Sequence, residues 1–264
     1  MTVVAPGIAE RAKPGQFIAL AVGGPNTSMP LRRAFAIYQV AERGVYGGTV
    51  DVVLSVHGKG TEWLSRLCPH DELDVVGPLG RPFRLPSTPV PVVLVGGGYG
   101  SAPLFGLAEA LRARRCPTAF VIGAGSADRL FGVLEAKRTA ATVTVTTDDG
   151  SMGECGRVSD VLPAVIDRIA AEVVYACGPM PMLRAVAEVA ATFGLPCQVA
   201  VEESMACGIG VCMTCVLPVV GDDGVTRMAR SCVEGPVFLA DRVRFDDIGT
   251  LPADTLGAPA GVAW

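Results

Sequence analysis

Apolar and polar positions change rhythm once along the chain, near residue 90. Before that point, short apolar runs at 16–22, 35–40 and 49–56 are separated by Gly, Pro and Asn, the residues that punctuate strands with tight turns. One helix fits at 61–67, with Thr61 placed to cap it. Strands at this spacing with a single helical insertion predict a small antiparallel barrel over 1–86. Beyond it, strand-like runs at 91–95, 119–122, 142–146 and 172–177 alternate with helix-period segments at 102–114, 127–137, 159–171 and 181–193. Apolar strands that alternate with helices form right-handed βαβ units, so 87–202 read as a doubly wound parallel sheet. The Pro-rich stretch at 85–91 suits a linker, 203–240 form a small third module, and the Gly-, Ala- and Pro-rich tail over 241–264 reads as poorly ordered.

Composition narrows the function classes. Of 264 residues, 50% are hydrophobic and 18% charged, enough to bury cores in two or more domains. The net charge is −4 without any Lys/Arg run, which argues against a nucleic-acid surface. No apolar run approaches the ~18 residues of a membrane span. The first residues, Met1 to Pro6, lack a basic stretch followed by an apolar one, so the reading is cytoplasmic.

The nine cysteines are an odd number in a chain without an export signal, which disfavours a disulfide framework. Cys68, Cys116, Cys155, Cys177 and Cys197 are scattered and read as small buried hydrophobes. Cys207, Cys212, Cys215 and Cys232 follow C-x4-C-x2-C…C, the plant-type [2Fe–2S] spacing. Three thiolates must converge on two irons from one tight loop, and Gly208 and Gly210 permit the required curl. Structural zinc competes, although only Cys212 and Cys215 form the C-x2-C knuckle that zinc sites use twice. Four unrelated buried cysteines are the third reading.

Two glycine turns stand at strand ends. Gly96-Gly97-Gly98-Tyr99-Gly100-Ser101 leads into a helix, where a dinucleotide pyrophosphate can meet backbone N–H groups, but Ser101 breaks the G-x-G-x-x-G pattern. Cys177-Gly178-Pro179 also follows a strand and opens a helix. Either turn could use Gly for steric reasons alone; two in one sheet favour a shared ligand crevice. His57 and His70 lack a neighbouring nucleophile, and Asp148-Asp149 and Asp246-Asp247 sit in turn contexts that read as solvated. Ser126 and Arg129 could meet a nucleotide 2′-phosphate or be a helix cap and a surface charge, so NADH against NADPH stays open.

Arg33-Ala34-Phe35-Ala36-Ile37, Gly58-Lys59-Gly60-Thr61, Val76-Gly77-Pro78-Leu79-Gly80, the Gly96 turn and Cys177-Gly178-Pro179 occur in the order seen in ferredoxin–NADP⁺ reductase-like flavoproteins. With the cysteine module directly after, the chain resembles the electron-transfer subunits of dihydroorotate dehydrogenase B over roughly residues 4–240. The resemblance implies FAD, NAD(H) and a [2Fe–2S] cluster held by Cys207, Cys212, Cys215 and Cys232. It implies that Arg33 holds the FAD pyrophosphate, that Ala34, Phe35 and Ala36 lie along the flavin with Phe35 packed on it, that Val53, Leu54 and Ser55 line it, and that Gly60 and Thr61 meet its phosphates. Gly97, Gly98, Gly100, Cys177, Gly178 and Pro179 would hold NAD(H). It further implies an FMN-containing dihydroorotate dehydrogenase catalytic subunit as partner in a heterotetramer, and no general acid or base in this chain. Ala36 departs from the family's Ser near the flavin N5 edge, the full strand the family has before Ala5 is missing, so that the barrel lacks its first strand or the true start lies upstream, and the tail after about Val243 has no counterpart. A reductase subunit for a ferredoxin, oxygenase or hydrogenase would look the same, and a zinc-stabilised nucleotide-binding module without redox activity is the reading from outside this class.

Overall fold

The computed structural model describes all residues except 25, 42, 43, 45, 46 and 259–264. Strands β1 (Thr2–Val4), β2 (Phe17–Leu20), β3 (Arg33–Ala41), β4 (Thr49–Val52) and β5 (Val75–Leu79) form an antiparallel sheet in the order β1-β4-β3-β2-β5. Ile18, Leu20, Ile37, Val50 and Val52 project into one core with Leu64 of helix α2 (Lys59–Ser65). Helix α1 (Pro6–Ala9) touches both β4 and β5, which lie toward opposite ends of the strand order, so the sheet curls into an open barrel around it.

Two local expectations need correcting here. A strand does precede residue 5: β1 pairs with β4 through Thr2↔Asp51 and Val4↔Thr49. With Val3 its one buried side chain, its alternation is too short to stand out in the sequence. Thr61 is not the α2 cap but its third helical residue. Its hydroxyl accepts the N–H groups of His57 (3.0 Å) and Gly58 (3.2 Å) and donates to the Gly58 carbonyl (3.0 Å), the returning half of a capping box.

The second layer system starts with β6 (Val92–Gly97), β7 (Thr118–Ala124), β8 (Thr142–Thr147), β9 (Glu154–Cys155), β10 (Val173–Cys177) and β11 (Cys197–Ala200), all parallel. A hairpin of β12 (Val216–Val220) and β13 (Thr226–Arg230) follows, and β14 (Val237–Leu239) returns antiparallel to β11. The large sheet therefore reads β14-β11-β10-β6-β7-β8-β9. Val92 and Leu94 pack beneath α3 (Ala102–Ala113) and α4 (Val133–Thr139), whereas Val93 and Val95 pack beneath α5 (Val158–Ile169) and α6 (Met180–Thr192). Burial on both faces is why β6 reads as an unbroken apolar run. The helix expected at 127–137 is split into a 3₁₀ turn at Ala127–Arg129 and α4, because Gly132 between them takes φ 72°.

The third module bridges the other two. Leu217 and Ala229 of the hairpin join the α/β core, while Cys215 and Cys232 pack with Phe17, Ala34 and Leu79 of the barrel. Its C-terminal boundary dissolves into the large sheet at β14. Residues 241–258 are held in place rather than loose. Arg244 donates to Asp247 (2.6 Å), Asp254 (2.6 Å) and the Thr226 hydroxyl (2.9 Å), and the Leu256 N–H donates to the Thr226 carbonyl (2.8 Å). Composition could not show this, because paired charges do the holding; the expectation for 259–264 lies outside the described residues.

Barrel and α/β domain meet at Tyr38. Its hydroxyl bonds the Glu135 carboxylate, Gln39 Nε2 donates to the same carboxylate (2.6 Å), and its ring meets Phe105 and Phe131 edge-on at 5.8 and 5.5 Å. Burial, then the Glu135 bond and charge, raise the Tyr38 pKa and keep it a phenol. Tyr38→Phe is expected to lower stability by about 1–2 kcal/mol, read from the urea midpoint; an unchanged midpoint would show that the bond carries no net stabilisation.

Candidate functional site

The flavin-strand residues come together as the motifs suggest. Arg33 lies against the first turn of α2: a Cβ on Gly60 would sit 2.8 Å from the Arg33 Nε. Glycine at 60 therefore makes room for the guanidinium, which also donates to the Leu31 and Arg32 carbonyls (2.7 and 3.4 Å). Phe35 and Leu54 are half-buried against the barrel core. Ala36 is exposed, and Val53 and Ser55 are half-buried in the segment leaving β4. Ala34 packs instead against the cluster of Phe17, Cys215 and Cys232.

At the carboxyl ends of the parallel strands lies a cleft of about 820 Å³. It opens where the strand order reverses, between β6 and β10, the place such sheets use for ligands. The two glycine turns interlock there: Cys177 pairs with Gly96, a Cβ on Gly100 would lie 2.6 Å from the Gly178 Cα, and one on Gly97 would lie 2.6 Å from the Met182 sulfur. These two glycines are needed for packing, whereas a Cβ on Gly98, at φ 53°, would meet nothing nearer than the Arg129 carbonyl at 3.9 Å, which leaves its backbone open to a ligand. Gly97, Gly98, Gly100 and Pro179 line the cleft, and Ser55 and His57 of the barrel segment close one end beside Glu202. Cys177 and Gly178 do not themselves line the cleft; burial pushes the Cys177 thiol up to about 12, helped by the Glu202 charge, so it is a neutral thiol and not a nucleophile. Gly100→Val should cost about 2 kcal/mol through the backbone contact with Gly178 and abolish nucleotide binding; a variant of normal melting temperature and affinity would contradict the interlock.

Several cleft residues were not singled out by sequence. Asp148, read as a solvated turn residue, lines the cleft together with Thr146, Arg157 and Ser159 from the far side of the sheet. Arg129 also reaches it, but Ser126 spends its hydroxyl on Asp128 (2.5 Å). The signal available was position: each stands at or just beyond the carboxyl end of a strand.

The four clustered cysteines fall into two neighbouring pairs, Cys207 with Cys212 and Cys215 with Cys232. Cys207 Sγ receives N–H groups from Ile209 and Val211 (each 3.4 Å), and Cys215 Sγ receives that of Cys232 (3.4 Å). The Cys212 N–H and these loop donors bring Cys207 down to about 6, and the Thr214 hydroxyl and N–H lower Cys212. Cys232 is pushed up to about 12 by burial and by Cys215 beside it. Positive φ at Gly208 (71°) and Gly210 (86°) curls the backbone so that the donors face inward. Two thiol pairs ringed by N–H donors suit a two-iron cluster, which takes two thiolates on each iron and hydrogen bonds on sulfur. Among the described residues no group of three or more His, Cys, Asp or Glu side chains is arranged to hold one metal ion. Of the five scattered cysteines, Cys116 and Cys197 are buried, Cys177 is half-buried, and Cys68 and Cys155 are exposed, contrary to expectation: one follows α2 at a turn and the other lies on the edge strand β9.

Comparison with known proteins agrees with this geometry. The family model for the iron–sulfur cluster binding domain of dihydroorotate dehydrogenase B matches residues 202–244. The dihydroorotate dehydrogenase B (NAD(+)), electron transfer subunit of Desulforamulus reducens is 35% identical over 234 residues, covering 89% of this chain and 87% of that one. Its Bacillus caldolyticus counterpart is 38% identical over 239 residues, covering 89% and 88%. Among solved structures, a chain of the NADH-dependent reduced ferredoxin–NADP oxidoreductase, described for flavin-based electron bifurcation, superposes with a TM-score of 0.79 at 31% identity, covering 94% of this chain and 85% of that chain. Because the agreement with named relatives runs through barrel, cleft and cysteine loop alike, the chain belongs to the family of dihydroorotate dehydrogenase B electron transfer subunits.

Proposed function

We propose that this chain passes electrons between NAD(H) and a catalytic subunit through FAD and a [2Fe–2S] cluster, and that the partner is an FMN-containing subunit oxidising dihydroorotate, assembled as a heterotetramer in the cytoplasm. The observation that carries the reading is the placement of the barrel between the two other sites. Ala34 of β3 packs against the cluster of Phe17, Cys215 and Cys232, while Ser55 and His57, just beyond β4, line the cleft with Gly97 and Pro179. When bound, FAD exchanges a hydride with NAD(H) and single electrons with an iron–sulfur centre.

The chain's own residues bind, orient and insulate. Arg33, docked on Gly60, offers a guanidinium fork to a pyrophosphate, with Thr61 holding the start of α2 in shape. Phe35, Val53, Leu54 and Ser55 supply the surface on which a flavin lies, and Ala36 leaves its N5 edge without a side-chain hydroxyl. The interlocked turns carrying Gly97, Gly98, Gly100, Gly178 and Pro179 would set the nucleotide against the flavin side, with Cys177 behind them at the end of β10. Cys207, Cys212, Cys215 and Cys232 hold the cluster. Four free thiols as ligands suit a reducing compartment, and no helix among the described residues is long and apolar enough to cross a membrane.

The likeness to the ferredoxin–NADP oxidoreductase chain favours a second reading, in which the acceptor is a ferredoxin-type partner. Mixing the chain with a dihydroorotate dehydrogenase catalytic subunit decides between them. Dihydroorotate-dependent formation of NADH only when both are present supports the first reading. Activity with reduced ferredoxin alone would replace it with the second.

A further inference from the structure

Buried polar atoms without partners call for a physical explanation, because each costs free energy in the unliganded fold. Among the described residues four buried side-chain oxygens have none: Asp51 Oδ1, Thr142 Oγ1, Thr146 Oγ1 and Thr255 Oγ1. Of these residues only Thr146 lines the cleft, although its own exposure is 0%. The neighbouring strand lines the cleft beside it with a glycine. Gly123 pairs with Thr146 across β7 and β8 and also lines the cleft. A Cβ on Gly123 would stand 2.7 Å from Thr146 Oγ1 and 2.4 Å from the Val158 side chain, so glycine at 123 puts no side chain of its own between the buried hydroxyl and the cleft. Two residues on, Asp148 lines the same end, its Oδ2 beside the bare backbone of Gly125.

We propose that Thr146 and Asp148 form the subsite for the adenosine-side ribose of the dinucleotide. The inference rests on the reading of the cleft as the NAD(H) site. Position selects that half of the molecule. The pyrophosphate belongs at the β6 glycine turn, and the reactive ring must face the barrel, where Ser55, His57 and Glu202 stand; β8 lies on the opposite side of β6 from β10. Chemistry selects the sugar. A carboxylate accepts hydrogen bonds and donates none, and a threonine hydroxyl does both, so a vicinal diol satisfies the pair with one hydroxyl on each. A phosphate, an acceptor only, would face the Asp148 charge. Arg129 and Arg157 stand at the rim of the same end and remain available to the phosphates.

The test is calorimetric titration of the oxidised, cofactor-loaded protein with NAD⁺, ADP-ribose and nicotinamide mononucleotide. Thr146→Val should raise the Kd for NAD⁺ and ADP-ribose by about 5–20-fold. Its Kd for nicotinamide mononucleotide should stay within about twofold, and its unliganded melting temperature should be equal or higher, since an orphaned hydroxyl has been removed. Thr146→Ser should keep wild-type affinity. Unchanged NAD⁺ binding in Thr146→Val, an equal loss for the mononucleotide, or loss of affinity in both variants would overturn the subsite while leaving the cleft as the nucleotide site. A wild-type protein that binds none of the three would overturn the reading of the cleft along with it.

Discussion

Cys212→Ser is expected to yield a protein that still carries FAD but has lost its iron. Cys212 is exposed, on the loop whose Cys207 it helps to acidify through its own N–H. A serine hydroxyl is not ionised at neutral pH and is a poor ligand for a cluster that selects soft thiolates. Second-shell changes alone weaken metal sites by about 10–100-fold, so removal of a ligand should reduce iron content at least that far. The flavin strand should survive, because Arg33 docks on Gly60 of α2, within the barrel. Iron analysis and the visible spectrum read both at once. Full iron with an unaltered spectrum would remove Cys212 from the ligand set. Loss of FAD together with iron would show instead that barrel and loop fold as one unit through the Phe17, Ala34 and Cys215 contact.

Arg33→Ala carries the second large effect, and in the opposite sense: iron retained, FAD lost. A charge-assisted hydrogen bond is worth about 1.5–3 kcal/mol, so removing the fork should weaken FAD binding about 10–100-fold. The purified variant should then hold much less than one FAD per chain. Arg33→Lys should recover little, since a point charge does not reproduce a bidentate contact. Normal FAD content in Arg33→Ala would place the pyrophosphate elsewhere.

Much of this organisation was legible in the chain, for identifiable reasons. The parallel sheet showed itself because β6, β7 and β10 are buried on both faces and read as continuous apolar runs. The cysteine loop showed itself because cluster geometry constrains spacing. Features that depend on distant partners did not. Strand β11 holds only four residues, and its buried Gln198 is paid for by paired hydrogen bonds to the Arg84 backbone (each 2.8 Å), which no local pattern announces. The held segment after Val243 depends on Arg244 meeting Asp254 and Thr226. Thr146 looked like any strand threonine until its hydroxyl proved to have no partner.

The central claim is one electron path from NAD(H) through FAD to the cluster. Its most direct test is the anaerobic visible absorption spectrum of the purified chain before and after NADH is added. Flavin bands over a broad red iron–sulfur absorption, both bleached by NADH, are the expected result. A colourless protein, or a flavin that bleaches while the iron–sulfur absorption persists, would contradict it.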